Sequence, residues 1–238
     1  MTKEKNKMQP TLDNPIRKDP NWITVKGYKA TDKDMKCNND YQYQFGSNKY
    51  EGEIQICKSG LHFCPRLKGI PYYANPLRHR IFEIEAVIDL SYREWRIEKD
   101  KIFNPTFYND FYEKKDNLNK EVAKEIIIKR ELTEEEIWEQ FKDDIQKDSV
   151  KNYITTLAKF KKYRFMSSEE IRKHCCEEVC KKLISYGYSE TFSYIIAETM
   201  VIKNKEYNES LITFAKALYD EDLSTDMRAY LLLKKIDK

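Results

Sequence analysis

No stretch of the 238 residues approaches the roughly 20 consecutive apolar positions that a membrane-spanning helix requires. The opening MTKEKNKMQP also lacks the apolar core of a secretory signal, so the expectation is a cytoplasmic protein with no membrane partner. A surplus of one charge is missing as well. Lys and Arg number 43 against 40 Asp and Glu, which argues against a general nucleic-acid binder with its strongly basic element. A dense cysteine framework is absent too. The six cysteines fall into two clusters, Cys37, Cys57, Cys64 and Cys175, Cys176, Cys180, and in a reducing compartment such thiols are free or metal-bound rather than bridged.

What is present divides the chain in two. Residues 1–21 are polar, carry Pro10, Pro15 and Pro20, and read as a flexible N-terminal leader. From Trp22 to about residue 132 the signals are short strands and turns: WITVKGYKA, then QYQFG with a turn at Gly46-Ser47-Asn48, then KYEGEIQIC, SGLHFC, RIFEIEAVIDL and EIIIKREL. Residues 91–120, rich in Tyr, Phe, Asn and Asp, read as an insertion wrapping the sheet. At residue 133 the period changes. Thr133 followed by Glu134, Glu135 and Glu136 supplies a capping hydroxyl and acids for the positive end of a helix, and apolar residues recur at Ile137, Trp138, Phe141 and Ile145. Further helices are expected over 149–163, from Ser167 to Gly187, and over 189–203, 207–220 and 225–236. The expected organisation is a β-rich α+β domain over 22–132 followed by an all-α helical bundle over 133–238.

The chemistry concentrates in CKSGLHFCPRLKGIPYYANP, residues 57–76. Cys57, His62 and Cys64, with Cys37 upstream, offer a Cys3His set to tetrahedral zinc, although no C-x2-C knuckle accompanies them. Nucleophilic catalysis by Cys64 or Cys57 with His62 as base is a second option. Residues two apart on one strand share a face, but they hold their side chains parallel and apart, which suits a proton relay badly. Glu83 and Glu85 share one face of an apolar strand and read as a solvated face. His174, Cys175, Cys176 and Cys180 read as thiols on the core stripe of a helix, and Arg78-His79-Arg80 as a short basic turn able to meet phosphate.

Two resemblances extend this reading. GYKATDKDMKC, YQYQFGSNKYEGEIQIC and KSGLHFCPRLKGIPYY resemble, in order, a domain of unknown function found in phages, prophages and large DNA viruses, with a C-x-S-G-x-H-x-C motif, over about residues 23–138. More distantly, the chain is similar to the catalytic domain of the poly(ADP-ribose) polymerases. Lys26-Gly27, Gly60-Leu61-His62-Phe63, Tyr72-Tyr73, Phe82-Glu83-Ile84-Glu85-Ala86-Val87 and Glu125 before Ile126-Ile127-Ile128 follow that family's order. The second resemblance implies an ADP-ribosyltransferase-like split β-sheet and NAD as cofactor. Lys26 takes the place of the ribose donor, Tyr73 or Tyr72 that of the ring stacked on nicotinamide, and Glu125 that of the catalytic acid. Gly60, Gly27 and His62 then line the cofactor. The function so implied is an NAD- or nucleotide-handling enzyme in the host cytoplasm. Its alternatives are a non-catalytic module that engages a host or viral protein through the cleft or the helices, and a zinc-stabilised structural domain.

Overall fold

The computed structural model describes residues 20–37, 41–103, 119–145, 153–202, 209–219, 221 and 223–236. The chain forms two compact units, Met1–Thr133 and Glu134–Lys238, and it mixes α and β structure. The leader expected over 1–21 lies almost wholly outside the described residues.

In the N-terminal unit four antiparallel strands form one sheet in the order β1-β4-β6-β2, where β1 is Trp22–Thr31, β2 Gly46–Lys49, β4 Arg80–Asp89 and β6 Glu125–Glu131. A second, two-stranded sheet pairs β3 (Leu61–Phe63) with β5 (Glu121–Ala123). The alternating apolar residues of β4 explain its central place. Phe82, Ile84, Ala86 and Ile88 turn to the core, while on the opposite face Glu83 meets Arg130 and Glu85 meets Lys129. Burying such a side chain contributes about 1.5–3 kcal/mol.

The two sheets share strands. The run 121–131 changes sheet at Lys124, whose amide donates to the Val87 carbonyl (2.8 Å) and whose carbonyl accepts from Tyr50 (2.9 Å). On the other side, Tyr28 and Cys64 exchange backbone hydrogen bonds of 2.7 and 2.8 Å, hooking the end of β3 onto β1. Gly27 makes that approach feasible: a Cβ there would stand 2.6 Å from the Phe63 ring and 2.9 Å from the Cys64 carbonyl oxygen. Gly60, at φ +99°, serves the same junction, since a Cβ would meet Val122 at 2.6 Å.

Local signals were overridden in three places. Gly46-Ser47-Asn48, expected as a turn, forms β2 along β6: the buried Asn48 amide holds its own bend through the carbonyls of Gln44 (2.8 Å) and Gly46 (3.0 Å) and reaches the Ile126 carbonyl of β6 (3.3 Å). KYEGEIQIC forms no continuous strand; Ile54 plugs into a small apolar cluster with Tyr92 and Val122. The first part of the expected insertion is helix α1 (Leu90–Phe103). Asp89 caps it, its Oδ1 accepting from Ser91 (3.0 Å) and Tyr92 (3.4 Å). Residues 104–118 lie outside the described residues.

The second unit is helical among its described residues: α2 (Glu134–Ile145), α3 (Leu157–Tyr163), α4 (Ser168–Ser185), α5 (Glu190–Ile202), α6 (Glu209–Tyr219) and α7 (Thr225–Ile236). Of the helix expected over 149–163, residues 149–152 lie outside the described residues, and among the described ones it begins at Leu157, where the extended Thr156 accepts from Lys159. α4 opens with a complete capping box. Glu170 donates its amide to Ser167 Oγ (3.2 Å), and the Glu170 carboxylate accepts from the Ser167 amide (2.7 Å). Val179, Leu183, Ile196, Ala197, Leu211, Ala215, Leu232 and Ile236 build one apolar core from the last four helices.

Candidate functional site

Where β3 hooks onto β1, the N-terminal unit opens a cleft of about 690 Å³. Tyr28–Asp32 of β1 and its following turn form one wall, and Ser59–Cys64 with Ile70 and Tyr73 form another. Tyr41, Tyr43, Tyr50, His79 and Lys120 also line it. Strand alternation decides what faces inward. On β1 the buried positions are Gly27, Lys29 and Thr31, so the period-2 rule carries a lysine to the inner face. On β3, Leu61 and Phe63 point to the core and His62 to the opposite side.

Lys29 is 7 % exposed. Its ammonium donates to the His62 carbonyl oxygen at 2.7 Å and lies 4.7 Å from the centre of the Tyr43 ring. Burial pulls its pKa down to about 8; the thiols of Cys37 and Cys64 oppose the fall, and Lys120 adds to it. Burial pushes the Tyr43 phenol well above the usual range.

His62 Nε2 accepts from the Cys57 amide at 2.9 Å, so the neutral ring carries its proton on Nδ1. Burial, then Lys120 and Lys29, hold its pKa down to about 4, against backbone hydrogen bonds with Gln55 and Gly60. Burial raises the Cys64 thiol to about 11 despite both lysines. Cys64 therefore stays a protonated thiol at neutral pH, and His62 spends its acceptor on a backbone amide. This geometry offers no Cys–His nucleophilic pair.

Three of the residues expected at an NAD site, Gly60, His62 and Tyr73, line this one cleft. Tyr73 is 53 % exposed, and the Lys120 ammonium stands 5.2 Å from the centre of its ring. Tyr72, 69 % exposed, is not among the lining residues, nor are Gly27, Lys26 and Glu125. Lys26 is an exposed residue of β1 paired in register with Glu85. Glu125 opens β6 and accepts from the Ser47 hydroxyl at 2.6 Å. Cys37, Cys57, His62 and Cys64 all line the cleft, yet among the described residues no group of three or more His, Cys, Asp or Glu is placed to hold a metal ion.

Lys29 and Lys120 are the site residues that motif reading passed over. A signal for Lys29 exists, since it stands two residues after Gly27 on an alternating strand and so shares its buried face. Nothing near Lys120 in sequence marks it; the sheet change at Lys124 brings it to the cleft.

Residues 25–107 match the model of a family described as a domain of unknown function (DUF7666). Neither a curated protein nor a solved structure matches the chain.

Proposed function

We propose that the cleft of the N-terminal unit binds NAD or a nucleotide built on ADP-ribose, in the manner of the ADP-ribosyltransferase domains that its sequence resembles. The observation that carries this reading is the meeting of Gly60, His62 and Tyr73 on the wall of one cleft of about 690 Å³. That volume lies within the roughly 300–1,000 Å³ of small-molecule and cofactor sites. Tyrosine rings supply faces on which a base or nicotinamide stacks. The arrangement of two small sheets sharing their strands supports the split-sheet fold that the resemblance implies. The separate resemblance to a domain of unknown function of phages, prophages and large DNA viruses is the ground for proposing a phage or large-virus origin.

The position of Glu125 separates binding from chemistry. Transfer of ADP-ribose needs a carboxylate beside the N-glycosidic bond to stabilise the positive charge that builds as nicotinamide leaves. Glu125 instead bonds to Ser47 on β2. That placement favours a second reading, in which the cleft holds its nucleotide uncleaved and the protein engages a host or viral partner protein.

Calorimetric titration of the full chain with NAD, ADP-ribose and ADP tests the first reading, and saturable binding of at least one is expected. Absence of binding by all three overturns it. Nicotinamide release measured by mass spectrometry separates the two readings: release that Glu125→Gln abolishes sinks the non-catalytic one, and binding without release sinks the transferase.

A further inference from the structure

We infer that Lys29 and Lys120 form an anion subsite in the cleft and take the phosphates of its ligand. The inference rests on the nucleotide reading for the identity of the ligand, but its ground is independent of the motifs that suggested NAD. An ammonium taken out of water is costly unless a carboxylate or a ligand compensates it. Lys29 is 7 % exposed, and among the described residues its hydrogen-bonding partner is one backbone carbonyl, that of His62, with no carboxylate beside it. Lysines almost never occupy such a position without a counter-charge.

The neighbours add positive rather than negative charge. Lys120 lies close enough to Lys29 and His62 to disfavour the charge on both, and its ammonium is 3.7 Å from Cys57 Sγ. Lys36 and Lys58 also line the cleft. Asp32 is the one carboxylate among the described lining residues, and its Oδ1 already accepts from the amides of Asp34 (2.9 Å) and Lys36 (2.7 Å). Each of the two inner ammoniums also lies near a tyrosine ring, Lys29 by Tyr43 and Lys120 by Tyr73. Tyr43 is buried in the core and Tyr73 is half-exposed, so a ligand that carries phosphate beside a flat ring satisfies the two ammoniums and the open Tyr73 face, which is the composition of a nucleotide.

The Cys64 thiol facing Lys29 does not supply the missing charge, since it keeps its proton up to about pH 11. A bound phosphate would hold Lys29 protonated, so affinity is highest below about pH 8 and falls as the pH rises through that value.

The test is calorimetry on the full chain with inorganic pyrophosphate, ADP-ribose, NAD and adenosine. Pyrophosphate and ADP-ribose are expected to compete, and Lys29→Met and Lys120→Met each to weaken both by about tenfold or more, the loss of a charge-assisted hydrogen bond. Lys33→Met, in the exposed turn after β1, leaves both unchanged. Lys29→Arg, with circular dichroism on every variant, separates a lost charge from a lost fold. Wild-type-like affinity of both Met variants overturns the subsite. NAD binding that neither Met variant alters overturns the subsite and leaves the nucleotide reading standing. Lysine-dependent pyrophosphate binding with no gain from adenosine or NAD does the reverse. No binding of any probe overturns both.

Discussion

The two units treat buried charge differently. In the helical unit the described buried residues are almost all apolar, with Arg164 and Ser193 the polar exceptions; Arg164 pairs with Glu134 at 3.6 Å, while pairs such as Lys162 with Glu178 lie on the surface. The N-terminal unit buries Lys29, Thr31, Asn48, Asp89, Arg96 and Glu121. Most of these have a visible structural task. Asn48 ties β2 to the Ile126 carbonyl of β6, Asp89 caps α1, and Glu121 on β5 holds Arg96 of α1 at 2.9 Å and Arg93 at 3.2 Å. Lys29 has one backbone partner, the His62 carbonyl, and among the described residues no carboxylate beside it, and that missing counter-charge is what marks it as a binding group. A buried polar residue is informative in proportion to how poorly the fold itself repays it.

The largest effect expected from breaking that contrast is at Glu121. Glu121→Ala leaves the buried Arg96 and its neighbour Arg93 without their acid and should cost about 3–5 kcal/mol in urea unfolding. Leu232→Ala in the helical unit, at a fully buried position, should cost about 2–4 kcal/mol through a cavity instead. Its loss should not vary with pH.

Lys29→Met should act in the opposite direction. The fall of the Lys29 pKa from 10.5 to about 8 corresponds to about 3 kcal/mol spent on keeping the charge at neutral pH. Losing the bond to the His62 carbonyl returns about 1 kcal/mol, so a net gain of about 2 kcal/mol is expected. Because the folded pKa lies below the unfolded one, this penalty is complete below about pH 8 and fades as the pH rises toward 10.5. The gap between the two stability curves should therefore close over that window; a gap constant with pH would show that Lys29 carries no buried charge.

His62 gives the matching test on the acid side. Its folded pKa of about 4 lies below the unfolded 6.5, so its contribution is present above pH 6.5 and is lost as the pH falls toward 4. His62→Gln should flatten that part of the curve. The smallest effect is expected at Lys162→Ala, below about 1 kcal/mol, because its pair with Glu178 is exposed and screened.

Legibility followed the same division. The capping box at Ser167–Glu170 and the acids at Glu134–Glu136 are local instructions, and the helices begin where they stand. The strands Trp22–Thr31, Arg80–Asp89 and Glu125–Glu131 were readable from alternation or apolar runs for the same reason. α1 was hidden in a stretch of mixed polarity. Asp89, an N-cap residue directly before LSYREW, was its available signal. β2 carried turn residues and became a strand only through its neighbour β6.

The amino-acid sequence by itself determined the change from period two to period 3.6 near residue 133, the capped helices beyond it and the principal strands before it. Those depend on contacts between residues a few positions apart, which the order of side chains specifies directly. Only the tertiary structure decided which residues share the cleft. The hook between Tyr28 and Cys64 and the change of sheet at Lys124 bring Lys29, His62, Tyr73 and Lys120 to one space, and set Lys26 and Glu125 outside its lining. Such a meeting depends on strand pairing across tens of residues, and no local pattern encodes which face of a shared strand will look into a cavity.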